Sequence, residues 1–240
     1  MLAYFGFYYS PFAIVVIGVG LVLGLWAQAR VKSAFARYSQ VRSRSGLSGA
    51  QVARAILQAN GIYDVKVEPI AGTLTDHYDP TSKTLRLSEP VFHEQSIAAL
   101  GVAAHEVGHA IQHAHGYTPL KFRSAWVPVA GFGSGLGHLV LLIGMMMLSG
   151  GGSPTVAWVG VALFATTTVF TLVTLPVEFD ASRRALATLS QGGVMASDEL
   201  QGARSVLNAA ALTYVAAAVT SLLSLLHYVM LILGSQRRDE

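Results

Sequence analysis

Two histidines four residues apart, with a glutamate beside the first, are the residues of this chain whose types and spacing could do chemistry: His105-Glu106-Val107-Gly108-His109. On an α-helix, positions i and i+4 share a face, so both imidazoles can offer a ring nitrogen to one zinc ion. Glu106 then sits at the rim of that face, where it can take a proton from a water polarised by the ion. Five residues are a short pattern, and the bland alternative is that the three side chains hydrogen-bond one another in a core. The surroundings favour the metal. Residues 96–112 are small and apolar, and Glu106 is their only charged side chain. A lone carboxylate is costly to bury, and a metal-polarised water supplies the partner it needs.

A catalytic zinc ion has three protein ligands and one open position, so a third donor is required. His115 stands ten residues after His105, the spacing of metzincins, but that pattern needs a glycine where this chain has Gln112, and Gly116 comes only after His115. His113 is one further turn along the same face, yet a straight helix cannot wrap three successive turns around one tetrahedral ion. Both are better read as polar groups at a helix end or in a cleft. The remaining candidate is Glu178, in Pro176-Val177-Glu178-Phe179-Asp180-Ala181-Ser182-Arg183-Arg184. Its alternative role is a carboxylate at a helix start, stabilised by the helix dipole or by Arg183 or Arg184.

The elements that must position these residues follow from composition. Of 240 residues, 52% are hydrophobic and only 12% charged, which is too apolar for a soluble domain of this length. Four stretches meet the roughly 20 apolar residues that crossing a bilayer requires. They are residues 5–26, 126–148, 156–175 and 214–234, and none contains Asp, Glu, Lys or Arg. Ala27-Gln28-Ala29 has the form of a signal cleavage site. No Lys or Arg precedes it, however, while Arg30, Lys32, Arg37, Arg42 and Arg44 follow, which suits a retained anchor.

Between residues 30 and 123 lie eleven of the sixteen Lys and Arg, and three more lie between 183 and 204. The positive-inside tendency places both segments in the cytoplasm and both termini outside, with only Arg237 and Arg238 opposing it. With two crossings between them, Glu178 and His105 then lie on the same side. The basic run 30–44 is a juxtamembrane segment facing anionic lipid rather than a nucleic-acid surface. There is no cysteine, so disulfides and thiolate ligands are excluded.

The expected architecture is a mainly α integral membrane protein with four transmembrane helices and a small α+β insert between the first and second. Its divisions are 1–29 (first span), 30–125 (cytoplasmic insert with the metal helix), 126–175 (second and third spans), 176–210 (cytoplasmic helical segment) and 211–240 (fourth span and tail). Within the insert, Ser48 reads as an N-cap, Val52, Ile56 and Leu57 as a helical face, and Gly61 as a stop. Val65 and Val67, and again residues 84–88, alternate as strands do, with Asp76-His77-Tyr78-Asp79-Pro80 as a turn between them. Residues 92–115 form the metal-bearing helix. The strand 84–88 is either an interior strand or a sheet edge on which an extended peptide could pair. Gly150-Gly151-Gly152-Ser153-Pro154 reads as a tight turn between the second and third spans.

Together, Ala103-Ala104-His105-Glu106-Val107-Gly108-His109-Ala110-Ile111-Gln112-His113, His77-Tyr78-Asp79-Pro80 before it and Glu178-Phe179-Asp180-Ala181-Ser182 after it resemble the YugP-type neutral zinc metallopeptidases of bacterial membranes. The resemblance covers nearly the whole chain and its four spans. More distantly the chain is similar to the HtpX heat-shock and CAAX prenyl proteases, whose second motif reads Glu-x-x-Ala-Asp. The resemblance implies a zincin-like site with one zinc ion, with His105, His109 and Glu178 as ligands and Glu106 as general base. It also implies a site at the cytoplasmic surface of a bacterial cell membrane. The chain departs from the distant relatives in having Ser182 where they have Asp, with a carboxylate at Asp180 instead. In those relatives the Asp is expected to orient a ligand histidine.

The reading these residues support is a membrane-embedded zinc endopeptidase acting on polypeptides, membrane proteins among them, with the bilayer as its other partner. His77, Tyr78 and Tyr117 are the polar candidates for stabilising an oxyanion. The rival is a non-enzymatic membrane chaperone or assembly factor that keeps the metal as a structural clip. A transporter would place ionisable residues in the spans, where only His138 and His227 are found.

Overall fold

The structure is a computed structural model and describes residues 11–236. Residues 5–10 of the first expected span, and Arg237 and Arg238, lie outside the described residues. Ten elements follow in chain order: α1 Pro11–Ser39, α2 Gly49–Ala59, β1 Lys66–Ile70, β2 His77–Asp79, β3 Thr84–Ser88, α3 Glu89–His93, α4 Ile97–Ala114, α5 Thr118–Ser149, α6 Thr155–Gln191 and α7 Ser197–Gln236. The fold is mainly helical, with a three-stranded sheet between the first and second long helices. Two compact units divide the chain. Among the described residues, one takes 11–26 with Phe122–Leu175 and 214–236, and the other takes Ala27–Lys121 with Pro176–Thr213.

In the first unit the apolar parts of α1, α5, α6 and α7 supply four helices long and apolar enough to cross a membrane. At a rise of about 1.5 Å per residue, the longer ones exceed the ~30 Å hydrocarbon core of a bilayer by several turns. The α1 helix turns Ile14, Val15, Ile17, Leu21, Val22 and Leu25 outward, an arrangement only an apolar surrounding tolerates. Small residues let the helices approach closely. A Cβ on Gly160 of α6 would lie 2.5 Å from the Leu141 backbone of α5. Where apolar packing leaves hydroxyls, they pair across helices, as Thr168 and Ser221 do at 2.8 Å.

The second unit is built around a core of Val52, Leu57, Leu85, Leu87, Leu100, Val107 and Leu189. Helix α2 opens with a reciprocal capping box, in which Ser48 Oγ accepts from the Gln51 amide at 3.3 Å and Gln51 Oε1 accepts from the Ser48 amide at 2.8 Å. It closes at Asn60, with Gly61 left-handed at φ 69° and the Ile62 amide donating back to the Leu57 carbonyl at 2.9 Å. The expected cap and stop are therefore both in place.

The sheet order is β1-β3-β2, with β1 parallel and β2 antiparallel to β3. Of the two positions left open for β3, the structure takes the interior one: β3 is the central strand, with Leu85 and Leu87 fully buried. An alternating sequence reports the face a side chain takes and says nothing of whether the backbone has neighbours on both sides. Two expectations are corrected here. The segment read as a turn contains a strand: His77–Asp79 pairs with residues 84–86, and the reversal lies beyond it, where Asp79 accepts from the Thr81 amide at 2.9 Å and the Ser82 hydroxyl at 2.6 Å. The helix expected over 92–115 is two helices. Residues 94–96 are pulled extended because Gln95 accepts from the Ser43 amide, Glu94 from the Gly49 amide, and Val41 from the Ile97 amide. Ser96 then caps α4 afresh, its Oγ accepting from the Ala99 amide at 3.2 Å.

Replacing Ser48 by Ala removes one half of the capping box and is expected to destabilise the second unit by about 1 kcal/mol, read as a lower urea midpoint of the purified protein at unchanged slope.

Candidate metal centre

The helix carrying His105 and His109 is buried over nearly its whole length, from Ile97 through Gln112. It stops at His115, where Gly116 is left-handed at φ 64° and the Tyr117 amide returns to the Gln112 carbonyl at 2.9 Å. Helix α6 packs across it. Gly108, lying between the two histidines, is the point of closest approach, and a Cβ there would sit 2.5 Å from the Ala181 carbonyl oxygen. Because the backbones touch, short side chains from both helices reach one another.

At that crossing His105, His109 and Glu178 converge, with ligand atoms all within 4.8 Å. Glu178 Oε2 lies 3.2 Å from His105 Nε2 and 3.5 Å from His109 Nε2. The two rings stand edge to face, their centroids 4.9 Å apart. Glu178 is 2% exposed. It does not lie at a helix start, the alternative its sequence context allowed, because α6 runs unbroken from Thr155 through Pro176 to Gln191. Arg183 and Arg184 pair with Asp180. His113 and His115 fall outside the cluster; His113 Nδ1 is hydrogen-bonded with the Tyr78 hydroxyl at 2.8 Å, and His115 caps the helix end.

Each histidine is held from behind. Ser182 Oγ lies 3.1 Å from His105 Nδ1, and Gln112 Oε1 lies 3.0 Å from His109 Nδ1. Gln112 in turn donates from Nε2 to the Val177 carbonyl at 2.8 Å and to Asp180 at 2.9 Å. Ser182 and Asp180 thus both serve the site, one directly and one through an amide. The sequence offered a single faint signal for Gln112: an amide three residues after His109 on a helix whose other polar side chains are His105, Glu106, His109 and His113.

Burial opposes a charge on His109, yet the hydrogen bond to Glu178 and the nearby Glu106 carboxylate hold its pKa above the ordinary imidazole value. Glu106 is buried at 8% exposure and makes no hydrogen bond to any described residue. Its charge also reaches Asp76, whose pKa is pushed up by burial and further by Glu106. Asp76 joins the start of β2 to the end of β3, accepting from the Ser88 amide at 2.7 Å and from its hydroxyl. It was legible in sequence only as part of a turn.

Of the polar candidates for an oxyanion, Tyr78 is tied to α4 through His113, and burial pushes its phenol up to about 12, so it remains an O–H. His77 is exposed, with Nδ1 bonded to the Thr75 carbonyl. The Tyr117 ring carries the Arg184 guanidinium 5.7 Å from its centroid.

Residues 13–233 match the family model described as "Putative neutral zinc metallopeptidase", and the chain belongs to that family. It is 50% identical over 220 residues, 92% of this chain and 95% of its relative, to a Bacillus subtilis (strain 168) protein named "Putative membrane protease YugP". No solved structure matches. The chain is thus a member of a zinc metallopeptidase family with four helices fit to cross a membrane.

Substituting Gly108 by Ala would force α4 and α6 apart at the crossing. The expected result is a fall of about tenfold or more in zinc affinity with helical content retained, measured by chelator competition and circular dichroism.

Proposed function

We propose that the chain is a membrane zinc endopeptidase, with His105, His109 and Glu178 as metal ligands and Glu106 as general base. The observation that carries this reading is the spacing of the donor atoms. Ligands about 2.1 Å from a tetrahedral ion stand roughly 3.4 Å from one another, and Glu178 Oε2 lies 3.2 and 3.5 Å from the two Nε2 atoms. Two imidazoles and one carboxylate suit zinc and leave a fourth position, as catalytic sites do. A structural clip would close with four protein ligands, and the cluster among the described residues has three.

Held by these three residues, a zinc ion would supply Lewis acidity for hydrolysis of a peptide bond. Glu106 is the group placed to take a proton from the attacking water and pass it to the leaving amine nitrogen. The pairing of Glu106 with no described side chain leaves its carboxylate available for this transfer. His105 and His109 keep their Nε2 atoms toward Glu178 because Ser182 and Gln112 engage their Nδ1 atoms. Tyr78, an O–H donor on β2, is our candidate for the oxyanion. β2 lies at a sheet edge, where an extended polypeptide can add its backbone as a further strand. The substrate is a polypeptide, and membrane proteins are included because Glu178 follows the apolar run 156–175 by three residues. The segments carrying these residues hold eleven and three of the sixteen Lys and Arg, which supports a site facing the cytoplasm of a bacterial cell membrane.

Glu106→Gln is expected to retain zinc and lose about 10²–10⁴-fold in turnover of an unfolded polypeptide, whereas Glu178→Ala should lose most of its zinc. Wild type that holds zinc stoichiometrically yet cuts no polypeptide, itself included, would sink the peptidase reading in favour of a structural metal site. Stripping the metal with a chelator should lower the thermal midpoint, since ligand binding to the native state alone stabilises it, and added zinc should restore it.

A further inference from the structure

Gln112 is fully buried, so every polar atom of its carboxamide needs a partner. The amide nitrogen has two hydrogens, and two acceptors meet them, the Val177 carbonyl at 2.8 Å and Asp180 Oδ2 at 2.9 Å. The carbonyl oxygen Oε1 is left 3.0 Å from His109 Nδ1. Turning the amide over would set an oxygen against a carbonyl and a carboxylate while pointing N–H groups at the ring, so the orientation is dictated by its surroundings. Asp180 cannot swing away to relieve the constraint, because Arg183 and Arg184 both bind its carboxylate, the latter at 2.5 Å.

An amide oxygen can only accept. His109 Nδ1 must therefore carry the proton when the ring is neutral, and the lone pair must sit on Nε2, the atom facing Glu178 Oε2 at 3.5 Å. The arrangement around His105 differs. Its partner is the Ser182 hydroxyl, which both donates and accepts and so imposes no tautomer.

We propose that Gln112 is a positioning residue that sets the tautomer and ring orientation of His109, with Asp180 and its two arginines as the anchor that keeps the amide from turning. Its effect on metal binding rests on the ligand assignment proposed above, but its effect on the ring does not. A carboxylate in this place would accept from Nδ1–H in the same way. The amide fixes that tautomer, the one that can ligate through Nε2, without adding a further charge.

The test is the ¹⁵N spectrum of histidine-labelled protein, recorded metal-free above the titration range of the ring and again with zinc, for wild type and Gln112→Met. The methionine has similar volume and no hydrogen-bonding atoms at this position. Wild type is expected to show His109 as the Nδ1–H tautomer in both states. Gln112→Met should move metal-free His109 toward a mixture of tautomers, raise the zinc dissociation constant about 10–100-fold, and alter the visible spectrum of the cobalt-substituted protein. An Nε2–H tautomer for His109 in metal-free wild type overturns the proposal, and needs no variant to be folded. So does a folded Gln112→Met protein with unchanged His109 resonances. Wild type that takes up no zinc would refute the ligand assignment while the metal-free tautomer still decides the role of Gln112.

Discussion

The contact on which the site depends is the touching of two helix backbones at Gly108 and Ala181. His105 and Glu178 are 73 residues apart, and neither helix alone holds more than part of the cluster. Glycine at the crossing lets α4 and α6 approach until a carboxylate on one reaches between two imidazoles on the other. Ala103, Ala104, Ala110 and Ala185 on the same two helices are small and fully or almost fully buried. A glycine between the two histidines is thus a geometric requirement of the cluster as much as a sequence habit.

Bringing polar groups into such a crossing is expensive unless each finds a partner. Here the partners form a connected set from His105 through Glu178 to His109, Gln112 and Asp180, and thence to Arg183 and Arg184. Arg183 is largely exposed, so the chain of bonds ends on a solvated charge rather than in an orphaned buried group. Glu178 and Glu106 also bring negative charge to His109, where burial alone would oppose a positive one.

The two units divide the labour by composition. Long helices with outward-facing Ile, Val and Leu need only small residues and a few paired hydroxyls to pack, since an apolar surrounding offers no competing hydrogen bonds. The unit holding the site is built instead with a capping box, left-handed glycine closures at Gly61 and Gly116 and a mixed sheet, devices that satisfy backbone groups at the ends of elements.

The local pattern determined much of this. Helical spacing put His105, Glu106 and His109 together, uninterrupted apolar runs marked the four long helices, and Ser48 and Gly61 marked the ends of α2, because each depends only on neighbours within a turn or on composition. Glu178 was reachable from sequence as a candidate, by counting crossings and by resemblance. What it faces was decided by the packing of α6 on α4. Tertiary structure alone also decided that β3 is central, that residues 94–96 break a helix by pairing with residues 41–49, and that Gln112 stands behind His109. Each of these turns on hydrogen bonds or close approaches between segments far apart in the chain, and periodicity carries no record of the partner across such a gap.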